Sequence, residues 1–477
     1  MTSPSLMIVG AGPAGASAAI EAAALGFSVK LFDEQAKAGG QVWRAKCDAI
    51  LAAPPTPEDR QGGELRARLA ASAVDCFTGA RVWQVERRDG GFRLGAATAR
   101  DNSIHVAPAL LLAGGARERV VPLPGWTMPG VIGLAAATAL MKEHLRPPGR
   151  RVVVAGSGPL LFFVAHEILR LGGTVSAVVD LNRVSDWWRR LPAMSARPDL
   201  LVRGIGWAAR LKTKGVPILF GHGVRQIHGT NSVEKVDIGP VDSNWAPSGE
   251  MTRDVSADAV CLGHGLTPVV EATRLLGAEH RLDENQGGWV PRLDPAGRTT
   301  VKGLYAAGDG AGIQGAAAAV LRGRLAALAA AWDFGLLSEE LLQERSRPLQ
   351  AKLKTAARFG MAMTSLSIMR EGVLDQISAD TLVCRCEGVT RGALEAEMIS
   401  GGLMPNALKS GTRCGMGPCG GRYCTETATA LACRLSGKTP TEMGLATARP
   451  PLRPVPVAAL AGEFDYEALP IPAPAPL

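Results

Sequence analysis

The cysteines in the last quarter of the chain are the residues whose type and spacing most directly indicate chemistry. Five of the nine cysteines lie in one segment: Cys384, Cys386, Cys414, Cys419 and Cys424. They follow C-x-C and C-x₄-C spacings on glycine-rich turns. Such thiolates suit a small iron–sulfur cluster, because the turns let backbone N–H groups point at the sulfur atoms. Four thiolates also suit Zn²⁺, which is the alternative, and five cysteines compete for four ligand positions.

A glycine-rich turn near the start of the chain indicates dinucleotide binding. Between Met7 and Asp33 the sequence reads as a strand, a G-x-G-x-x-G turn, an alanine-rich helix and a strand that ends in an acid. Gly10 permits the tight turn, Gly12 lets a pyrophosphate approach the backbone, and Gly15 lets the helix pack on its strand. The helix start offers N–H groups to phosphate, and the acid is placed to bind ribose hydroxyls. The alternative is a βα turn without a ligand. The predicted contact residues are Gly10, Gly12, Pro13, Ala14, Gly15, Asp33 and Glu34.

Three later segments would complete a flavin site around this turn. A glycine pair before Gln41 fits a loop that runs beneath the flavin, although a plain turn has the same sequence. A buried strand ends in a glycine turn before residue 116. The segment from Thr300 to Gly312 ends a strand at an acid that can hold ribityl hydroxyls beside a helix start, although an acid that merely caps the helix fits as well. The predicted contact residues in these segments are Gly40, Gln41, Gly115, Gly308 and Asp309.

A second copy of the strand, glycine turn, helix and strand unit follows residue 150. Its predicted nucleotide contacts are Gly156, Gly158 and Asp180, and NAD or ATP is the candidate ligand. Leu161 replaces the third glycine, which forces the helix away from the strand and makes tightly bound NAD less secure. The alternative is a dinucleotide fold kept as a scaffold.

Length and composition limit the class of protein. A chain of 477 residues is too long for one core, and 52 Lys and Arg against 44 Asp and Glu give a net charge of +8. No basic run is concentrated enough to predict a nucleic-acid partner. The early first strand argues against a secretory signal, and Arg322 and Arg324 interrupt the longest apolar stretch, which argues against a membrane span. We therefore expect a cytoplasmic protein.

These units predict an α/β flavoprotein of the glutathione-reductase-like kind, with two dinucleotide-binding domains and a small [2Fe–2S] domain. The second nucleotide domain would interrupt the flavin domain. A Pro/Ala-rich tail would lie across the chain or across a partner. The predicted boundaries are 1–148 and 276–340 for the flavin domain, 149–275 for the second nucleotide domain, 341–379 for a helical linker, 380–440 for the [2Fe–2S] domain and 441–477 for the tail.

In these motifs the chain resembles the flavoprotein A subunits of heteromeric amine and amino-acid oxidoreductases. That family includes opine oxidases, the HcnB subunit of hydrogen cyanide synthase and the α subunits of bacterial hydroxyproline and proline dehydrogenases. The resemblance rests on the first glycine turn, on 39–41, 116–119 and 307–309, and on the cysteine segment. That segment resembles the ferredoxin-like domain named after bacterioferritin-associated ferredoxin, in which the second cysteine pair follows a Gly-Met-Gly. The resemblance therefore implies the metal ligands Cys384, Cys386, Cys419 and Cys424, with Cys414 as the alternative to either later ligand.

The same resemblance implies a function and a partner. Substrate would be oxidised at a flavin in a separate B subunit of the D-amino-acid-oxidase type, with a small third subunit in some complexes, and this chain would carry the electrons through FAD and [2Fe–2S]. The sequence agrees, because it has no C-x-x-C near the second nucleotide domain and no convincing nucleophile or carboxylate pair. His264, between two glycines, is a hydrogen-bonded turn residue or a catalytic one. The alternatives are an NAD(P)H-dependent FAD/[2Fe–2S] reductase and a structural, nucleotide-binding assembly subunit.

Overall fold

Short runs of Val, Ile, Leu and Ala, separated by glycine turns, form parallel strands, and the alanine-rich segments between them form covering helices. The structure is a computed structural model, and it describes residues 3–50, 53–99, 101–250 and 253–461. Two parallel sheets carry the glycine turns, and smaller antiparallel sheets cover them.

The strands and helices are numbered in chain order. The strands are β1 (Ser5–Val9), β2 (Ser28–Asp33), β3 (Val74–Thr78), β4 (Arg81–Arg88), β5 (Gly91–Ala97), β6 (Asn102–Ala107), β7 (Ala109–Leu112), β8 (Ala116–Glu118), β9 (Val131–Gly133), β10 (Arg151–Gly156), β11 (Thr174–Asp180), β12 (Ile218–Phe220), β13 (His222–His228), β14 (Lys235–Pro240), β15 (Arg253–Ser256), β16 (Ala259–Gly263), β17 (Leu266–Pro268), β18 (His280–Asp283), β19 (Gly288–Pro291), β20 (Leu304–Ala306), β21 (Leu382–Cys384) and β22 (Val389–Thr390). The helices are α1 (Pro13–Ala24), α2 (Pro57–Ala70), α3 (Leu134–His144), α4 (Leu160–Arg170), α5 (Val184–Met194), α6 (Pro198–Thr213), α7 (Glu271–Leu275), α8 (Ala316–Asp333), α9 (Glu339–Ser365), α10 (Arg391–Ile399), α11 (Pro405–Thr412), α12 (Thr425–Ser436), α13 (Pro440–Met443) and α14 (Val457–Ala461). Short 3₁₀ turns lie at Glu284–Gln286, Gly308–Ala311 and Glu371–Gln376.

The first parallel sheet has the strand order β20-β7-β1-β2-β3. Successive side chains of a strand point to opposite faces. On β1, Leu6 and Ile8 therefore pack under α1 and α8, whereas Met7 packs against the antiparallel sheet β4-β5-β6. Because β20 joins this sheet only after the second parallel sheet has been completed in the sequence, the first domain is interrupted by the second, as the sequence predicts.

Helices α1 and α8 pack closely against each other. Gly323 of α8 lies directly on the backbone of α1, and a Cβ atom added there would be 2.1 Å from the carbonyl oxygen of Ala14. Small residues on both helices allow this approach. The contact fixes α1, and with it the glycine turn that precedes it, against the rest of the domain.

The second parallel sheet has the order β12-β11-β10-β16-β9. Helices α3, α4 and α6 cover one face, and the antiparallel sheet β13-β14-β15 covers the other. Both β9 and α3 precede residue 149, so this unit includes residues from before the predicted start of the second nucleotide domain. The sequence pattern missed them because β9 is short and lacks a glycine fingerprint.

The remaining chain joins a long helix to a small cysteine-bearing unit. Helix α9 spans 27 residues and starts at an N-cap, Ser338, whose side chain accepts from Leu341 N–H. Beyond it, β21, β22 and α10 to α12 pack around a small core that includes Leu394 and Leu431. Within the described residues, no helix is long and apolar enough to cross a bilayer.

The tail lies across the chain itself as far as the structure describes it. The Leu452 N–H donates to the carbonyl of Trp83 in β4 at 2.7 Å, and the Arg422 guanidinium donates to the Leu452 carbonyl at 2.9 Å. We call the segment 444–454 the strap. It ties the cysteine-bearing unit back to the first domain.

Candidate functional site

The first glycine turn has the geometry that its sequence predicts. Gly10 has a φ of +100°, and a Cβ atom there would lie 2.3 Å from the Ala113 carbonyl oxygen. A Cβ atom on Gly15 would lie 1.8 Å from the Gly10 carbonyl oxygen. Gly12 is the N-cap of α1, and a Cβ atom there would meet only the Gly40 Cα, at 3.8 Å. Gly10 and Gly15 are therefore required by packing, whereas Gly12 leaves space in front of the amide groups that begin α1.

The acid at the end of β2 stabilises this turn. One carboxylate oxygen of Asp33 accepts from the Ala11 N–H at 2.5 Å, and the other accepts from the Gln35 N–H at 2.7 Å. Burial raises the pKa of Asp33, although these two hydrogen bonds oppose the shift. Each carboxylate oxygen keeps a further lone pair for a ribose hydroxyl. The neighbouring Glu34 is exposed, and its carboxylate lies 3.8 Å from Arg453 in the strap.

The loop with the glycine pair closes over the turn. The Gly39 N–H donates to the Ala11 carbonyl at 2.9 Å. Gly40 has a φ of +58°, and a Cβ atom there would lie 2.9 Å from the Gly12 Cα. The exposed Gln41 accepts from the Arg44 guanidinium at 3.1 Å. Gly40 thus contacts the turn directly, and Gln41 lies at its outer edge.

The acid after β20 lies on the other side of the same turn. Gly308 has a φ of +73°, and a Cβ atom there would be 2.8 Å from the Ala14 Cβ. The Asp309 carboxylate accepts from the N–H groups of Gln314 and Gly315, at 3.1 and 3.2 Å, and burial raises its pKa. Asp309 therefore binds the backbone at the start of α8, which fits the capping alternative without excluding a role toward ribityl hydroxyls.

Gly115 completes this region. A Cβ atom on Gly115 would meet nothing within 4 Å, and a Cβ atom on Gly310 would lie 3.2 Å from the Gly115 carbonyl. The structure therefore brings Gly12, Gly40, Gly115 and the segment with Asp309 to one edge of the first sheet. Open positions at glycines, free helix-start amides and two acids form a cradle whose chemistry fits a dinucleotide.

The second glycine turn differs from the first. Helix α4 starts at Leu160 and has Pro159 as its N-cap, so it begins one place later in the fingerprint than α1 does. Asp180 is fully buried, and its carboxylate accepts from the Asn182 N–H at 3.0 Å and from the Trp187 indole at 2.9 Å. Burial raises the pKa of Asp180 to about 7. This acid binds protein groups inside the domain instead of facing an open crevice.

His264 lies at the end of β16 and is buried. Its backbone N–H donates to the Arg119 carbonyl at 3.3 Å, and burial, reinforced by the charge of Arg119, lowers its imidazole pKa to about 4. A neutral, enclosed imidazole agrees with the turn interpretation.

The buried cysteines form a compact thiol cluster. The sulfur atoms of Cys384, Cys414 and Cys424 all lie within 4.8 Å of one another, and all three residues are buried. Cys384 ends β21, Cys424 is the N-cap of α12, and Cys414 follows Arg413, which has a φ of +64°. A hydrogen bond with Cys424, together with burial, raises the pKa of Cys384. These thiols are therefore protonated without a metal, and a metal ion must displace the protons when it binds.

The other two predicted ligands lie beside this cluster. Cys386 is exposed and Cys419 is partly buried, and their side chains hydrogen-bond to each other. A Cβ atom on Gly417 would lie 2.2 Å from the Cys386 Cβ, so the glycine-rich turn is what permits the approach. The structure thus gathers the four predicted ligands and adds Cys414. The repeat of the C-x₄-C spacing, from Cys414 to Cys419 and on to Cys424, is the sequence signal for this fifth thiol.

Two arginines connect the parts of this region, and no local sequence pattern indicates their roles. Arg119 donates to the Glu426 carboxylate at 3.0 Å and to the Gly287 carbonyl at 3.1 Å. Arg422 donates to the Cys419 carbonyl at 2.6 Å. Between them lies a cavity of about 950 Å³, bordered by β17, the cysteine turns and the strap. The cysteine-bearing unit is therefore joined directly to the strands that connect the two nucleotide folds.

Two dinucleotide folds, an intact first glycine turn and its two acids define a flavoprotein oxidoreductase. The chain matches the family model described as pyridine nucleotide-disulphide oxidoreductase over residues 4–323, and a model of the sarcosine oxidase A3 domain over residues 383–463. The chain belongs to the pyridine nucleotide-disulphide oxidoreductase family and is an FAD-dependent oxidoreductase.

Curated relatives confirm the resemblance found in the sequence. The A subunit of opine oxidase from Agrobacterium tumefaciens (strain Ach5) is 33% identical over 470 residues, which cover 96% of this chain and 91% of that protein. The HcnB subunit of hydrogen cyanide synthase from Pseudomonas aeruginosa is 32% identical over 461 residues, which cover 95% of this chain and 97% of that protein. The crystal structure of L-proline dehydrogenase from P.horikoshii has a TM-score of 0.72 at 22% identity, and the match covers 96% of this chain and 79% of that one. That last likeness supports the fold.

Proposed function

We propose that this chain is the A subunit of a multi-subunit, FAD-dependent amine or amino-acid oxidoreductase of the opine-oxidase type. It carries electrons between a partner flavin subunit, the [2Fe–2S] cluster and its own FAD. The observation that carries the proposal is that an intact dinucleotide cradle and a five-thiol cluster occur in one chain that lines up over nearly its whole length with A subunits. The substrate pocket would then lie in another chain.

The first glycine turn and its neighbours hold FAD in this proposal. The start of α1 binds the pyrophosphate through its free N–H groups, Asp33 binds the ribose, and Asp309 binds the ribityl chain. When bound, FAD supplies a group that exchanges either one or two electrons. The residues assigned to FAD are Gly10, Gly12, Pro13, Ala14, Gly15, Asp33, Glu34, Gly40, Gln41, Gly115, Gly308 and Asp309.

Four of the five clustered thiols hold the metal centre. Soft thiolates suit both [2Fe–2S] and Zn²⁺, and the flavin site in the same chain favours the redox-active group. Cys384 and Cys424 are common to the predicted set and to the buried thiol cluster. The two remaining places fall to Cys386 and Cys419, or to Cys414 in place of Cys419. The unit around them, over about residues 380–440, is the ferredoxin-like domain.

The ligand assignment can be tested on anaerobically reconstituted protein. Iron and zinc content and the visible spectrum would be measured for single Cys→Ser variants at positions 386, 414 and 419. Cys433→Ser is the matched control, because Cys433 is outside the thiol cluster and half-buried on α12. A ligand variant should lose or shift the iron–sulfur bands, whereas the control keeps them. Zinc without iron in the wild-type protein would overturn the [2Fe–2S] assignment.

The partner is a flavoprotein B subunit of the D-amino-acid-oxidase type, with a small third subunit in some complexes, and the location is cytoplasmic, where thiols stay reduced. Co-expression with the product of the neighbouring reading frame, followed by purification, an optical spectrum and assays with opines, glycine and hydroxyproline, tests this assignment. A stable complex that oxidises one of them supports it. A chain that purifies alone and reduces an acceptor with NADH would support the reductase alternative instead, and a colourless, redox-silent chain would support an assembly role.

A further inference from the structure

The second glycine turn is covered by a segment of this same chain. Leu366 and Ser367 follow α9, and both are buried. A Cβ atom on Gly158 would lie 2.3 Å from the Ser367 hydroxyl oxygen, and that hydroxyl donates to the Ser157 carbonyl at 3.2 Å. A Cβ atom on Gly265 would lie 2.5 Å from the Ser367 Cβ. Ser367 thus fills the space between the turn after β10 and the turn after β16.

This is the space that a nucleotide would need. The second glycine of the fingerprint is small so that a pyrophosphate can approach the backbone. In the first fold the equivalent residue, Gly12, has open space in front of it, since only the Gly40 Cα lies within 4 Å of an added Cβ atom. In the second fold that place at Gly158 is taken by the Ser367 side chain. The first fold of the same molecule therefore serves as an internal reference.

The acid of the second fold is also linked to this segment. The Asn182 side-chain amide donates to the Asp180 carboxylate at 2.9 Å and to the Leu366 carbonyl at 2.9 Å. The carboxylate that would bind a ribose is therefore joined, through one amide group, to the chain that covers the phosphate position. Both recognition elements of a dinucleotide site are committed to internal contacts.

The covering segment is held in place from two sides. Besides the Asn182 amide on Leu366, the Arg119 guanidinium donates to the Ser367 carbonyl at 2.8 Å, and its other groups bind the Gly287 carbonyl and Glu426 of α12. Arg119 continues from β8, which connects the two nucleotide folds. Displacing the segment would break these bonds together and uncover buried side chains.

We propose that Leu366 and Ser367 seal the second dinucleotide fold, so that Ser367 determines which electron donor this chain accepts. NAD(P)H is excluded from the fold, and reducing equivalents arrive from a protein-bound donor. The fold itself serves as the platform on which α9 and the cysteine-bearing unit are fixed. The sealing stands on the contacts alone, whereas the identity of the donor rests on the proposed function.

A double-mutant cycle on the FAD-loaded full chain tests the contact. The melting temperature would be measured for Gly158→Ala and Ser367→Gly, alone and combined. The φ of +89° at Gly158 strains an alanine in either background, so the cycle isolates the contact with Ser367. We expect Gly158→Ala to lower the melting temperature less when Ser367 is already glycine. Gly172→Ala is the control, because its φ is +83° and an added Cβ atom meets nothing within 4 Å. Equal effects of Gly158→Ala in both backgrounds would overturn the contact.

Nucleotide binding tests the exclusion. NADH and NADPH would be titrated calorimetrically into the FAD-loaded chain up to about 1 mM, the upper end of usual KM values. We expect no saturable binding and no bleaching of the flavin. Saturable NADH binding that Gly158→Ala weakens would overturn the proposal. Neither measurement needs the partner or the metal centre, so loss of partner association with an intact seal would count against the proposed function alone.

Discussion

Replacing Gly323 by alanine should separate α8 from α1 and weaken FAD binding. The added Cβ atom would lie 2.1 Å from the Ala14 carbonyl oxygen and 2.8 Å from its carbon. Favourable carbon contacts begin near about 3.5 Å, so one helix must move by more than about 1 Å. Because Ala14 belongs to the first turn of α1, this movement displaces the amide groups assigned to the pyrophosphate.

The magnitude follows from two opposing effects. Alanine in place of glycine in a helix interior stabilises it by about 1 kcal/mol. Overpacking of a close contact costs about 1–3 kcal/mol or more. The cost dominates, because the clash is with backbone atoms that have no rotamer to change. We expect Gly323→Ala to lower the free energy of unfolding by about 1–2 kcal/mol.

Gly206→Ala is the matched control. Gly206 also lies inside a helix, α6, but a Cβ atom there would meet nothing within 4 Å. This variant should gain about 0.5–1 kcal/mol of stability and keep its FAD. Urea unfolding and the flavin content of the purified protein measure both effects. A Gly323→Ala protein as stable as Gly206→Ala, with a full complement of FAD, would refute the reasoning.

Three further predictions concern other parts of the molecule. The stability that a neutral, buried His264 contributes is complete above its ordinary pKa of 6.5 and is lost as the pH falls toward its folded value of about 4, so urea unfolding at pH 5 should show a loss of about 2 kcal/mol that His264→Gln reduces. Thr56→Ala removes the acceptor for the Asp59 N–H at the start of α2 and should cost about 1 kcal/mol, whereas Thr56→Ser should cost little; equal losses would contradict the capping role. Arg422→Lys breaks the paired bonds to the cysteine turn and the strap, so limited proteolysis within 444–454 should become faster; an unchanged rate would contradict that anchoring.

Local spacing predicts most of the first site correctly. The roles of Gly10 and Gly15 follow from backbone contacts a few residues away or on the adjacent strand, and Asp33 ends the strand beside the turn. The split of the first domain is likewise predictable, because the strand before Asp309 has the composition of a buried parallel strand.

The features that sequence reasoning missed depend on residues far apart in the chain. Ser367 meets Gly158 across more than two hundred positions, and no local pattern marks a serine after a helix as the cover of a glycine turn. The tail is rich in proline and alanine whether it binds its own chain or another, so only the Trp83 and Arg422 contacts decide where it lies. The inclusion of Cys414 in the thiol cluster likewise follows from the αL turn at Arg413.

The interrupted first sheet sets an order in which the molecule can be made. All strands of the second sheet lie between Val131 and Gly263, so that unit has its complete set of strands while the ribosome is still adding the rest. The first sheet must wait for β20, and α1 stays uncovered until α8 has been translated. We therefore expect nascent chains that end before Asp333 to expose the alanine face of α1 to chaperones and to fail to retain flavin, because domains generally fold as units during synthesis.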